Sequence, residues 1–286
     1  MPAEQATRFP PDWIDQIWAD IQAVRNQAPL VHNITNFVVM NISANALLAA
    51  GASPVMAHAP EEVADMVKIA GALVVNIGTL EPAWINSMAT AMRTAQALGK
   101  PIVLDPVGAG ATPYRNHALS ALLAAAAPQV IRGNGSETMA LAGSTIATKG
   151  VDSSTASAEA LAVGQEMARR YSNVICISGA IDYVMEARVN GRLARLANGD
   201  PMMTRMTGTG CSASALIGAF CAVQRDYFRA TVAAMCLTAV AGEIAAQQVR
   251  QEGLGVGSFQ ARWLDQLETL TEGALRRTLR GEIVTS

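Results

Sequence analysis

Charge is scarce in this chain. Of 286 residues only 15% are charged, the formal net charge is -2, and the basic residues form no cluster larger than the pairs Arg169-Arg170 and Arg276-Arg277. A nucleic-acid partner needs a basic face, so none is expected, and the two pairs read as solvated surface. Four cysteines (176, 211, 221 and 236) with no CxxC spacing, and only three histidines, leave neither a disulfide framework nor a zinc site. The first residues, Met1 to Gln5, lack the basic region and apolar core of a secretory signal. The longest apolar stretches, 213–223 and 230–242, are separated by Gln224-Arg225-Asp226, and each is too short to span a bilayer. These absences favour the cytoplasm and no membrane. There is no Pro/Ser-rich or charged linker and no internal repeat, so one domain over 1–286 is expected, with a helical extension at 1–28 and a tail at 272–286.

Half the residues, 51%, are hydrophobic, enough for a large core. Short apolar runs at 72–77, 101–105, 129–132 and 173–178 alternate with Ala/Leu-rich helical runs at 82–98, 117–127 and 156–171. Continuously apolar strands are buried on both faces, which predicts an α/β three-layer α/β/α sandwich around a mainly parallel sheet. Near Asn190-Gly191 the pattern becomes a hairpin, and three helices are expected to follow.

The densest local signal is 206–213 (MTGTGCSA), where Gly208 and Gly210 precede a long apolar helical run. Without side chains the backbone approaches a ligand closely, and the free N–H groups of the helix start attract an anion. Two nucleotide-loop types are excluded. No segment offers GxxxxGK[ST]; the GxGxxA match at Gly208 is followed by a second helix instead of a strand, so it is no dinucleotide fingerprint. In parallel sheets function gathers at the carboxyl ends of the strands. Polar, glycine-bearing segments stand there after 105, 132 and 178: Asp105 with Gly108 and Gly110, Arg132 to Glu137, and Ser178-Gly179.

Four segments, 29–36 (PLVHNITN), 51–57 (GASPVMA), 104–113 (LDPVGAGATP) and 207–211 (TGTGC), resemble the ribokinase-like family and, within it, the hydroxyethylthiazole kinases; the similarity runs from about residue 29 to about residue 271. The resemblance implies ATP, Mg²⁺ and phosphoryl transfer to the primary alcohol of 4-methyl-5-(2-hydroxyethyl)thiazole in thiamine salvage. It also implies a homotrimer with active sites at subunit interfaces.

Residue by residue, the resemblance gives Gly208 and Gly210 the anion hole, Gly208 also touching substrate, and Arg132 and Ser178 the ATP contacts; Ser178 replaces a threonine common in the family. Asn134-x-x-Glu137 matches the superfamily NxxE signature, with Glu137 supporting Mg²⁺ and Asp105 on the neighbouring strand end as its natural second. Asn36 and Met56 match substrate-side positions. Cys211 stands where related sugar kinases carry an aspartate base, and a thiol at a helix N-terminus can have a lowered pKa. Each residue has a plainer reading: Glu137 favoured by the helix dipole, Arg132 in a buried ion pair, Met56 as core, Cys211 as a small buried hydrophobe. Two other functions remain open on this fold, an ADP/ATP-dependent dehydratase of hydrated nicotinamide cofactor and a non-catalytic thiazole or nucleotide sensor. Cys211, in place of an acidic residue in the glycine loop, argues against the dehydratase.

Overall fold

A computed structural model describes residues 9–143, 153–171, 173–187 and 191–285. The chain runs through α1 (Pro11–Gln27), β1 (Leu30–Ile34), α2 (Met40–Ala49), β2 (Ser53–Val55), α3 (Val63–Ile69), β3 (Ala72–Asn76), α4 (Pro82–Ala97), β4 (Ile102–Asp105), α5 (Pro113–Ala125), β5 (Val130–Asn134), α6 (Gly135–Leu141), α7 (Ser153–Tyr171), β6 (Val174–Ser178), β7 (Asp182–Glu186) and β8 (Arg192–Leu196). A 3-10 helix (Pro201–Arg205), α8 (Thr209–Val223), α9 (Tyr227–Gln251), α10 (Val256–Thr269), α11 (Glu272–Thr278) and β9 (Gly281–Thr285) complete it.

The nine strands among the described residues join one sheet in the order β2-β1-β3-β4-β5-β6-β7-β8-β9. The pairings from β2 to β6 are parallel; those from β6 to β9 are antiparallel. The central strands face two cores in alternation, as the two-residue period of a strand requires. Val74, Val103, Val130 and Val174 pack with α1, α2 and the helices from α8 onward. Leu73, Val75, Ile102, Leu104, Ile131 and Ile175 pack with α3, α4, α5 and α7. The expected three-layer α/β/α sandwich is therefore present, and register sets its functional edge: Asn76 lies opposite Asp105, and Asn134 opposite Ser178.

Three expectations change. The segment 272–286, read as a tail, carries α11 and β9, and four helices follow the hairpin instead of three. Residues 281–285 (GEIVT) are a short β-branched run that pairs with β8 and extends the sheet. The described part of the helical extension at 1–28 packs onto the core: Ile14, Ile17, Ile21 and Val24 share the buried face of α1, and Asp20 pairs with Arg229 of α9 at 2.9 Å. The apolar run 230–242 lies within the 25-residue α9, the one helix among the described residues long and apolar enough to cross a bilayer. Of its most apolar stretch 83% is buried inside the protein, where a core helix has the same composition as a membrane span. The β7–β8 hairpin forms as expected; Asn190 of its turn lies outside the described residues.

Candidate active site

Helix α8 begins at Gly208, whose φ of 96° is in the left-handed region that favours glycine. A Cβ at Gly208 would stand 2.6 Å from Ile42 Cγ2, and one at Gly210 would stand 2.8 Å from Arg132 Nη1. The loop is thus pressed between α2 and the Arg132 guanidinium. The first intrahelical bond runs from Ser212 N–H to the Gly208 carbonyl (2.8 Å), so the N–H groups of Thr209, Gly210 and Cys211 have no acceptor within the helix. They form the anion-attracting end that the glycines foreshadow.

Beneath this end a buried chain of hydrogen bonds crosses the strand termini. Asn36, just beyond β1, donates its amide to Cys211 Sγ at 3.7 Å and to Asn76 Oδ1 at 2.8 Å. Asn76, ending β3, donates to Asp105 Oδ2 at 3.1 Å, and Ser214 of α8 donates to the same oxygen at 2.7 Å. Arg132 Nη1 lies 3.8 Å from that oxygen, while Nη2 donates to Ser178 Oγ at 2.6 Å. Five residues, Cys211, Asn36, Asn76, Asp105 and Arg132, thereby link the thiol to the arginine, with Ser214 and Ser178 branching from the path. Of the predicted site residues, Asn36, Asp105, Arg132, Ser178, Gly208, Gly210 and Cys211 are brought together. Met56 stands half-buried just past β2 and shares the same sheet edge from its outermost strand.

Glu137 is the third residue of α6, and NxxE here is a capping box: Asn134 Oδ1 accepts the Glu137 N–H, and Glu137 Oε2 accepts the Asn134 N–H, both at 2.9 Å. Its other oxygen accepts the Gly108 N–H at 2.8 Å, tying the ends of β4 and β5 together. The plain helix-start reading of Glu137 therefore holds, and the carboxylate still sits at the corner occupied by Arg132 and Asp105.

Burial pushes the Asp105 carboxyl up to about 6, against the pull of Arg132 and the hydrogen bonds of Ser214 and Asn76. It pushes the Cys211 thiol up to about 11, with the Asp105 charge adding to the rise. This reverses the expectation of a lowered thiol pKa. Desolvation by burial outweighs the helix start, the Arg132 charge and the hydrogen bonds of Asn76 and Asn36, all of which favour the thiolate.

A cleft of about 680 Å³ opens on the Arg132 side, with Arg132, Ser178, Asn198, Met203, Gly210 and Thr238 among its walls. Sequence reasoning missed Asn76, Ser214 and Arg115. An amide closing an otherwise apolar strand was the visible signal for Asn76; Ser214 looks like ordinary helix. Arg115 bridges strand ends by donating to the carbonyls of Ile77, Gly78 and Val107, from the first turn of a helix that is otherwise rich in Ala and Leu.

The sequence profile of the hydroxyethylthiazole kinase family matches residues 21–273. A hydroxyethylthiazole kinase of Leptothrix cholodnii is 61% identical over 264 residues, 92% of this chain and 94% of that protein. The structure of the hydroxyethylthiazole kinase protein from Pyrococcus horikoshii superposes with a TM-score of 0.84 at 41% identity, covering 94% of this chain and 99% of that one. A ribokinase-like superfamily protein from Enterococcus faecalis, 14% identical, shares the fold with a TM-score of 0.64 over 95% of this chain and 98% of its own. With the glycine loop, the cleft bearing Arg132 and the half-buried thiol on one sheet edge, and with relatives matched over more than nine-tenths of its length, the chain belongs to the hydroxyethylthiazole kinase family.

Proposed function

We propose that this protein transfers the γ-phosphoryl group of ATP to the primary alcohol of 4-methyl-5-(2-hydroxyethyl)thiazole, in thiamine salvage. The observation that carries the reading is the position of the α8 N-terminus, between a cleft bearing Arg132 and Ser178 and a side bearing Asn36 and the half-buried Cys211. ATP lies in the cleft, and the thiazole alcohol approaches from the Asn36 and Met56 side. Phosphoryl transfer is chiefly positioning and charge stabilisation, so the N–H groups after Gly208 and the Arg132 fork supply the main effect. With its pKa near 11 the Cys211 thiol is protonated at neutral pH. It orients the alcohol as a weak hydrogen-bonding neighbour; as the alcohol oxygen bonds to the γ-phosphorus the bond to the β-phosphate oxygen breaks and ADP leaves, and the alcohol proton passes late to an oxygen of the transferring phosphoryl group.

Mg²⁺ accompanies ATP in this chemistry, and the residues fit it. Among the described residues no group of three or more His, Cys, Asp or Glu forms a protein cage, but Mg²⁺ keeps several waters and takes only one or two carboxylates beside the phosphates. Asp105 Oδ1 is buried with no hydrogen-bond partner among the described residues. Asp105 and Glu137 would hold the hydrated ion; when bound it would neutralise charge on the transferring phosphates.

We further assign a homotrimer with active sites at subunit interfaces, acting in the cytoplasm. Phe37 and Val38, 57% and 62% exposed directly after Asn36, support a subunit contact there. The dehydratase and sensor alternatives are not favoured, because relatives covering nine-tenths of the chain are named as kinases. The test is ADP release with purified protein, ATP, the thiazole alcohol and Mg²⁺, with mass identification of the product. ADP formation requiring all three additions and a phosphorylated thiazole is expected; absence of the phosphorylated thiazole overturns the reading.

A further inference from the structure

The far wall of the cleft is built by residues 198–204, which run from the end of β8 into the 3-10 helix. Asn198 is buried, and its amide is fully used: Oδ1 accepts the Arg280 N–H at 2.7 Å, and Nδ2 donates to Glu243 Oε2 at 2.9 Å and to the Thr278 carbonyl at 2.8 Å. Glu243 also accepts the Gly199 N–H at 3.3 Å and both prongs of the Arg280 guanidinium, each at 2.7 Å. Arg280 in turn exchanges backbone and side-chain bonds with Ala197, so β8, α9 and the approach to β9 close on one another. The 3-10 helix is seated on α9 as well: a Cβ on Gly242 would collide with Met203 Sδ. Its Met203 carbonyl accepts from Thr209 Oγ1 at 3.1 Å, which joins this wall to the glycine loop.

Glu243 does not line the cleft. It stands one helical turn beyond Ala239, and Thr238 and Ala239 of α9 form the facing wall. A carboxylate on one wall that grips the first residues of the other sets the distance between them. We propose that Glu243, clamped by Arg280, is a positioning residue for nucleotide binding: it holds residues 198–204 at the spacing from α9 that the nucleoside end of ATP requires. This rests on the reading of the cleft as the ATP site. Thr278 and Arg280 lie beyond residue 273, where the family match ends, so part of the support comes from outside the matched region. The Glu243 carboxyl is held below its usual range because the hydrogen bonds of Arg280 and Asn198 outweigh the cost of its burial. The pair therefore stays charged through neutral pH.

The test compares Kd values by calorimetry for ADP, inorganic pyrophosphate and the thiazole alcohol, together with KM and kcat, in the wild type, Glu243→Gln and Arg280→Lys. Glu243→Gln keeps the shape but loses the charge-assisted bonds, and a weakening of ADP by about tenfold is expected. KM for ATP should rise in parallel, with kcat and the binding of thiazole alcohol and pyrophosphate within about twofold of wild type. Arg280→Lys keeps the charge without the fork, and about threefold is expected. Arg262→Ala, which breaks only exposed pairs with Glu252 and Asp265, serves as the control and leaves every constant unchanged. Unaltered ADP binding in both variants, or equal weakening of ADP and thiazole alcohol, overturns the proposal; if Glu243→Gln does not fold, Arg280→Lys alone decides. Wild-type protein that fails to bind ADP removes the ATP reading itself, an outcome visible before any variant is compared, and the proposal falls with it.

Discussion

Gly210 lies directly on Arg132: a Cβ at this glycine would stand 2.8 Å from Nη1 and 3.1 Å from Nη2. The obstructing atoms are the far end of a long side chain held by Ser178 and Asp105, so Gly210→Ala should still fold, at some cost in stability, while pushing the guanidinium off its seat. A displacement of this kind costs on the order of 10- to 100-fold in kcat/KM. Steady-state kinetics beside a thermal melt would check it; unchanged kcat/KM would mean that Arg132 does not act from this position. Gly208→Ala should behave differently, because its φ of 96° and the adjacent Ile42 strain the backbone itself, and a loss of about 1–2 kcal/mol of stability is expected.

Glu137→Gln preserves the capping-box shape but removes the charge proposed to support Mg²⁺. Turnover should fall more than thiazole binding weakens, because the carboxylate acts on charge that develops during transfer. Kinetics over a range of Mg²⁺ concentrations provide the measurement. Wild-type kcat at saturating metal and ATP would remove Glu137 from the catalytic set.

Cys211→Ala tests whether the thiol is a base. An obligatory general base would cost on the order of 10²- to 10⁴-fold in kcat, and a smaller loss is expected from a thiol that stays protonated. Cys211→Asp should remain active, the new carboxylate being eased by the helix N-terminus. Single-turnover rates of the three forms decide. An inactive Asp form with an Ala form slowed more than about 10³-fold would show the thiol to be essential.

The same thiol predicts a pH dependence. Its pKa lies near 11, raised from 9.0, so the thiolate is about one part in ten thousand at pH 7 and grows about tenfold per pH unit up to pH 10. Alkylation of Cys211 by iodoacetamide, followed by mass spectrometry, should rise along that slope. A plateau below pH 9 would contradict it. Cys176, Cys221 and Cys236, buried and shifted further up, should stay unmodified in the folded protein.

Light scattering at assay concentration checks the assembly. A trimer is expected, and Phe37→Asp should weaken association by placing a charge in the exposed apolar patch. A fully active wild-type monomer would end the idea of shared pockets.

Much of the edge was legible because its strands are apolar throughout and end in polar, glycine-bearing segments; β3, β4, β5 and β6 declare themselves that way. Strands β1 and β2 do not, the first because His32 and Asn33 interrupt it and the second because it has three residues. The role of β9 was hidden, since five residues near the end of the chain signal a strand only once β8 offers a partner. Cys211 shows the deeper difficulty. Its neighbours in sequence point to a lowered pKa, whereas the fold buries it and brings up the Asp105 carboxylate from more than a hundred positions away, and both push the pKa up.

The clamp at Arg280 also bears on the order in which the protein becomes competent during synthesis. The strand ends at residues 34–57, proposed to face the thiazole, leave the ribosome early, but Asn198 waits for Thr278 and Arg280 before its amide is satisfied. Under the proposed clamp, a nascent chain that has already laid down eight strands still lacks the support of the 198–204 wall, and nucleotide affinity is expected last, with β9.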